Sequence, residues 1–287
     1  MKVYQVVRKS ASLFKSITGL KKSEFDRLAK QFELHLNFSK TGRPHSLKEV
    51  EHALFFILFY YRHYCTQQLM ALIFRVDQAQ ISRWICLLQL PFAKCSKQYI
   101  DKARERINSV EKLLEYNPDL DVIIDCTERP VLTHHNSKDL FSGKKNFCTV
   151  KNMVGVSRKT KEITYSSRTR TGARHDFYRF KEFKEDIPPL WNLLLDLGFV
   201  GAKDEVPNRC FLPYKSLPKQ GLSDYEIQQN RVLSKQRCRG EHPFGQMKQF
   251  KILSDEFRGS SKLCDLSFQA IAGVYNFRRQ SRMRSIS

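Results

Sequence analysis

The stretch DVIIDCT, residues 121–127, decides how this chain is read. Val122, Ile123 and Ile124 form a short β-branched run, the texture of a buried strand. Asp125 closes that run, at a place where a carboxylate should be solvated or bound to something. A second apolar run, LWNLLLD (190–196), ends the same way in Asp196 and is followed by Leu197, Gly198 and Phe199. Ligands collect at the strand ends of open α/β sheets.

Between and after these runs the texture alternates. TVKNMVGVS (149–157) and EITYSSR (162–168) read as a second and third strand, and HDFYRFKEFKED (175–186) as a helix. RCFLPYK (209–215) reads as a fifth strand. From Ser223 onward the chain reads as helices, closing with LCDLSFQAIAGVYNFRRQSR (263–282). Three strands, a helix, two strands and then helices is close to the order of a ribonuclease-H-like α/β domain. A third acid, Glu241, lies in the basic segment RCRGEHPFGQMKQFKIL (237–253). Three carboxylates supply the hard oxygen donors that magnesium or manganese prefers. Two such ions, roughly 3.5–4 Å apart, would serve phosphoryl transfer. Asp176, which opens the 175–186 helix, competes with Asp196 for the middle position; Asp196 is favoured because it ends an apolar strand. Asp176 is otherwise a favourable charge at a helix N-terminus. Pro243 would bend a helix interior; it is tolerable with Glu241 at or before a helix's first turn, and elsewhere it would displace the third ligand.

Upstream of residue 118 the periodicity is helical. Phe25, Leu28 and Phe32 recur at helical spacing, and SKTGRP (39–44) is a break. Ser46, with Glu49 three residues on, reads as a capping box for a helix carrying Val50, Leu54, Ile57, Leu58 and Tyr61. In TQQLMALIFRVDQAQISRWICLLQL (66–90), Thr66 reads as an N-cap, with Leu69, Leu72 and Ile73 as one apolar face. Arg75 to Asp77 form a short turn, and a second helix from Gln78 turns Ile81, Trp84, Ile85 and Leu88 inward. This is a helix-turn-helix pattern, over about residues 46–90. Its second helix would offer Gln78, Gln80, Ser82 and Arg83 to base edges and phosphates. Residues 91–119 suggest another amphipathic helix and a linker near Asn117 and Pro118. The expected division is therefore an all-α domain, 1–117, and an α/β domain, 118–287.

Composition narrows the partner. Fifty Lys and Arg stand against 29 Asp and Glu in 287 residues, a net charge of +21. Such an excess suits a polyanion, because each neutralised phosphate releases counterions. Lys144 and Lys145 follow Ser142 and Gly143 in what reads as a tight turn between strands. They either contact phosphate or mark a solvated hairpin tip. Arg278, Arg279, Arg282 and Arg284 form a basic tail that either grips DNA or keeps the C-terminus solvated. Eight scattered cysteines with no CxxC pair argue against a zinc finger and for reduced thiols. The N-terminus lacks the apolar core of a signal peptide. The apolar run 53–61 is too short for a bilayer and reads as a buried helix.

Five stretches carry a resemblance: DCTERP (125–130), FSGKKNFCTVKNMVGV (141–156), TGARHD (171–176), LDLGFVG (195–201) and GEHPFGQMKQFKIL (240–253). With the helix-turn-helix region they resemble the DDE-superfamily endonucleases of bacterial insertion sequences, the branch related to Harbinger elements. The resemblance implies a DNA transposase with Asp125, Asp196 and Glu241 as catalytic metal ligands. It also implies two magnesium or manganese ions, and cleavage of double-stranded DNA at element ends followed by joining to a target. The family also carries an acid at the place of Asp176, which implies for it a place behind the ligands or a contact with DNA. Leu197 departs from the polar or basic residue usual there, and Phe199 from the common Tyr. A DNA-binding relative without catalysis and a structure-specific nuclease of the same fold are the alternatives. A transposase must bring two ends together, so at least a homodimer is expected, in the cytoplasm and on the nucleoid when bound to DNA.

Overall fold

The computed structural model describes residues 1–36, 47, 49–108, 118–132, 138–216 and 221–283, the side chains of residues 239–241 excepted. Six helices come first: α1 (Lys2–Lys9), α2 (Ala11–Thr18), α3 (Lys22–Glu33), α4 (Val50–His63), α5 (Gln67–Phe74) and α6 (Gln78–Asn108). The strands are β1 (Asp121–Pro130), β2 (Phe141–Ser142), β3 (Phe147–Ser157), β4 (Ile163–Ser166), β5 (Arg170–Thr171), β6 (Asn192–Leu194) and β7 (Cys210–Phe211). Helix α7 (Asp176–Phe183) lies between β5 and β6, and α8 (Asp224–Met247) and α9 (Ser261–Met283) end the chain. A helical N-terminal region containing the helix-turn-helix thus precedes a mixed α/β sheet domain, as the residue patterns indicated.

The chain divides into two compact units. One is residues 1–99 with 247–287; the other is 100–246. Compactness therefore groups the last helix with the N-terminal helices rather than with the sheet, unlike the boundary expected at 117. The reason is packing. Helix α9 buries Ile271, Ala272, Val274 and Tyr275, and Asn276 and Gln280 both donate from Nδ2 and Nε2 to the Tyr99 carbonyl, each at 3.1 Å. A Cβ on Gly273 would lie 2.1 Å from the Ser96 carbonyl oxygen, so only a glycine lets α9 approach α6 this closely.

In the same unit α4 is buried from His52 to Phe59 and again at Tyr61. A helix apolar on every side belongs in a core. Ser46, the expected cap of α4, lies outside the described residues, and Glu49 takes the N-cap position without a side-chain cap bond. Helix α5 starts at the expected cap, with the Leu69 amide donating to Thr66 Oγ1. Its inward face is Met70 and Phe74, however, not Leu69 and Leu72, the latter being 75% exposed. Helical phase alone permitted either assignment; contact with Phe55, Phe56 and Phe59 selects Phe74. Arg75 ends α5 in the left-handed region, φ 56°, a place more often held by glycine. Asp77 accepts from the Gln80 amide at 2.7 Å and so caps α6, as read from the sequence. Where two helices were expected over 78–119, α6 runs unbroken for 31 residues with Pro91 inside it. Ile81, Trp84, Ile85, Leu88 and Phe92 carry one buried stripe through the proline, and that burial outweighs the lost hydrogen bond.

In the other unit the sheet runs β2-β3-β1-β6-β7, with β4 and β5 also paired to β3. β1 and β3 are antiparallel; β1 with β6, and β6 with β7, are parallel. One face buries Val122, Ile124, Met153, Leu193 and Leu195 against Phe180, Phe183, Trp191 and Phe199. Among the described residues, no helix is long and apolar enough to cross a membrane.

Gly273→Ala is expected to lose about 1–3 kcal/mol of stability, the cost of forcing atoms into a packed contact. Urea unfolding measures it. A variant as stable as the parent would mean that α9 does not rest on the α6 backbone.

Candidate active site and nucleic-acid interface

Strand register builds the acid site. β1 and β6 run parallel with Val122 opposite Leu193 and Ile123 opposite Leu194. Continuing that register by two residues sets Asp125 beside Asp196, on one face, since side chains alternate. β6 itself stops at Leu194. Asp196 then caps a short turn over Leu197–Phe199, its Oδ1 accepting from the Gly198 amide at 2.8 Å. Asp125 Oδ1 accepts from the Cys126 amide at 2.8 Å. Arg237, from α8, reaches Asp196 Oδ2 at 3.5 Å.

Asp176 belongs to the same neighbourhood. A Cβ on Gly198 would stand 2.9 Å from Asp196 Oδ1 and 3.3 Å from Asp176 Oδ2. The two carboxylates therefore both reach the space beside Gly198. Burial pushes the Asp125 carboxyl up to about 6, and the nearby Asp196 and Asp176 push the same way against Arg237. Burial also holds the Cys126 thiol well above its ordinary value, with Asp176 and Asp125 adding to the effect.

Behind Asp176 sits a residue the sequence reading did not single out. Lys151, on β3, pairs with Asp176 Oδ1 at 2.8 Å and Glu128 Oε1 at 3.2 Å. Its side chain is only 6% exposed. Glu128 and Lys151 are cross-strand partners on β1 and β3. Burial alone would raise the Glu128 carboxyl, but bonds from Ser142 and Thr149 and the Lys151 ammonium together hold it low. The signal available beforehand was a lysine inside the apolar strand TVKNMVGVS, where an unpaired ammonium is costly.

Glu241, the expected third acid, falls in the interior of α8, with Pro243 also inside that helix. The condition under which Pro243 is tolerable, a Glu241 at or before the first turn, is therefore not met in α8. The Glu241 side chain lies outside those described. Among the described residues, no three His, Cys, Asp or Glu side chains stand where they could jointly hold a metal ion. Asp125 and Asp196 nonetheless fit a hard cation in donor chemistry, being paired carboxylates whose mutual repulsion a divalent ion would relieve.

The expected DNA-reading residues open α6. Gln78 and Arg83 are exposed, while Gln80 and Ser82 are half-buried. Gln78 Nε2 donates to Gln67 Oε1 at 3.3 Å, and Arg83 to Gln80 Oε1 at 3.4 Å. Lys144 and Lys145 are exposed in the turn between β2 and β3, where the Lys145 and Asn146 amides donate to the Ser142 carbonyl. Phe141 and Phe147 flank that turn, 48% and 45% exposed.

Sequence comparison agrees with this architecture. Residues 124–276 match the DDE superfamily endonuclease family, and residues 45–89 match the helix-turn-helix of DDE superfamily endonucleases. The chain belongs to the DDE superfamily of endonucleases. It is 25% identical over 281 residues to a protein of Microchaete diplosiphon described as a probable transposase for insertion sequence element IS702, covering 96% of this chain and 98% of that one. No solved structure matches.

The raised Asp125 carboxyl has a consequence for stability. An acid whose folded pKa exceeds its unfolded value favours folding only while protonated, so stability falls as pH rises from about 4 to about 6. In EDTA, Asp125→Asn should exceed the parent in stability at pH 8 by up to 2–3 kcal/mol, an order-of-magnitude figure. The gap should close towards pH 4. Denaturant unfolding across that range checks it, and a gap independent of pH would contradict the account.

Proposed function

We propose that this protein is a DNA transposase, which binds the ends of its own insertion sequence and catalyses metal-dependent strand cleavage and strand transfer. The observation that carries this reading is that the parallel register of β1 and β6 brings Asp125, midway along β1, and Asp196, two residues past the end of β6, to neighbouring positions, inside a chain of net charge +21. Membership of the endonuclease superfamily and likeness to a probable insertion-sequence transposase support it.

Asp125, Asp196 and Glu241 would hold two magnesium or manganese ions. Such ions activate an attacking oxygen and stabilise a leaving one on phosphorus. The chain's own residues do the rest. Asp125, on the central strand β1, and Asp196, just past β6, gather negative charge where half-burial keeps water from screening it. Arg237, beside Asp196, places a fixed positive charge next to the acids and is suited to a phosphate oxygen. Lys144 and Lys145 present two ammonium groups at a hairpin tip, with an exposed phenylalanine on either side, and would follow the DNA backbone.

The first turns of α6 would read the element ends, with Arg83 and Gln78 reaching outward and Gln80 and Ser82 beside them. The domains divide the labour accordingly: recognition by the helix-turn-helix, chemistry by the sheet. Two copies would act together on two ends. In-line attack by water, then by a DNA 3′-hydroxyl, needs no covalent enzyme intermediate.

Purified protein with DNA spanning the element ends should cut in magnesium or manganese. Asp125→Ala should abolish cutting and leave binding intact. Arg83→Ala should weaken binding to the ends by about 1–3 kcal/mol while the site keeps its metal response. A variant lacking Asp125 that still cuts would displace the metal site from these residues. Binding without cutting by the parent would favour a non-catalytic DNA-binding relative. Cutting without joining of pre-cleaved ends would favour a structure-specific nuclease.

A further inference from the structure

We propose that Lys151 is a positioning residue of the acid site: it fixes Asp176 beside Asp125 and Asp196, and through that placement sets how tightly the site takes a divalent cation. The inference rests on the acid site being a cation site, as proposed above.

An ammonium has three donors, and Lys151 has three acceptors: Asp176 Oδ1 at 2.8 Å, Glu128 Oε1 at 3.2 Å and the Arg174 carbonyl at 3.0 Å. The group is buried and its donors are matched, so its position is held from three directions. Two of those partners lie on the segment that leads into α7, and the third is on β1, three residues beyond Asp125. The segment is stitched down further by the Gly172 amide donating to the Thr149 carbonyl at 2.8 Å. Thr149 Oγ1 in turn donates to Glu128 Oε2 at 2.9 Å. Asp176 is thus held from behind by a lysine, while its other oxygen faces the gap beside Gly198 that Asp196 also faces.

A salt bridge serving stability alone has no need of this address. A buried ion pair is weak evidence for stability, because desolvation offsets most of the attraction. What the arrangement does secure is the direction of the Asp176 carboxylate. Without the lysine, Asp176 and Glu128 would repel each other, and the start of α7 would be free to swing Asp176 away from the acids. Groups that orient metal ligands from behind commonly change metal affinity by 10–100-fold when removed.

The experiment uses the full-length protein and manganese alone as the probe. It follows the thermal shift produced by manganese titration in the absence of DNA, with DNA cleavage as a second readout. Lys151→Met and Asp176→Asn should each raise the manganese concentration needed for half the shift by about 10-fold or more. The KM for DNA should stay close to that of the parent. The double variant should be no worse than the weaker single one, and Lys151→Arg, which keeps a cation at that place, should recover part of the loss. A Lys151→Met protein that melts earlier yet titrates with manganese like the parent would overturn the proposal, as would an Asp176→Asn protein with unchanged titration. If Lys151→Met does not fold, Asp176→Asn and Lys151→Arg decide the matter by the same criterion. A parent that manganese does not stabilise at all overturns the cation-site reading, and this inference with it.

Discussion

The parallel pairing of β1 with β6 is the constraint on which the site depends. Parallel strands need a long crossover, and here it is everything from β2 to α7, including the turn that carries Lys144 and Lys145. The pairing is anchored at its start, where the buried Asp121 accepts from Asn192 Nδ2 at 3.1 Å and meets Arg158 at the same distance. A slip of one residue would turn Asp196 to the opposite face from Asp125. Burial of Val122, Ile124, Leu193 and Leu195 on the α7 side resists such a slip, because it would expose the whole apolar set.

Charge is distributed against the average. The chain as a whole is strongly basic, yet Asp176 and Asp196 both reach the space beside Gly198, and their charges are felt by Asp125. Arg237 and Lys151 compensate that concentration from two sides, one beside Asp196 and one behind Asp176. Neither offsets the burial of Asp125, which, with the charges of Asp196 and Asp176 adding to it, keeps that carboxyl up at about 6. A site left electrostatically unrelieved in this way costs stability, and a divalent cation is the natural means of relieving it.

Much of this was legible before folding was considered. Periodicity located β1, β3, α7 and α9, and the Thr66 and Asp77 caps marked the helix-turn-helix. Both depend on local rules, period and hydrogen bonding within three residues. The misreadings share one cause. Leu69 and Leu72 lost the inward face of α5 to Met70 and Phe74 because a phenylalanine cluster on α4 was there to receive Phe74. Pro91 did not end a helix because the buried stripe continued past it. The strands β2 and β5 are two residues each, too short to carry a pattern. Lys151 was invisible as a functional group because its partners Asp176 and Glu128 are distant in the chain.

The sequence by itself determined the charge, the broad order of helices before sheet and the family to which the chain belongs, all of which follow from composition and local pattern; Asp125, read as closing its strand, instead lies midway along β1, because pairing with β3 continues to Pro130. Only the tertiary structure decided that α9 packs with the N-terminal helices, that Asp176 stands beside Asp196, and that one lysine holds it there. Those facts depend on which residues meet across long loops, and contact between distant segments is set by the competition of whole packed surfaces rather than by any local rule.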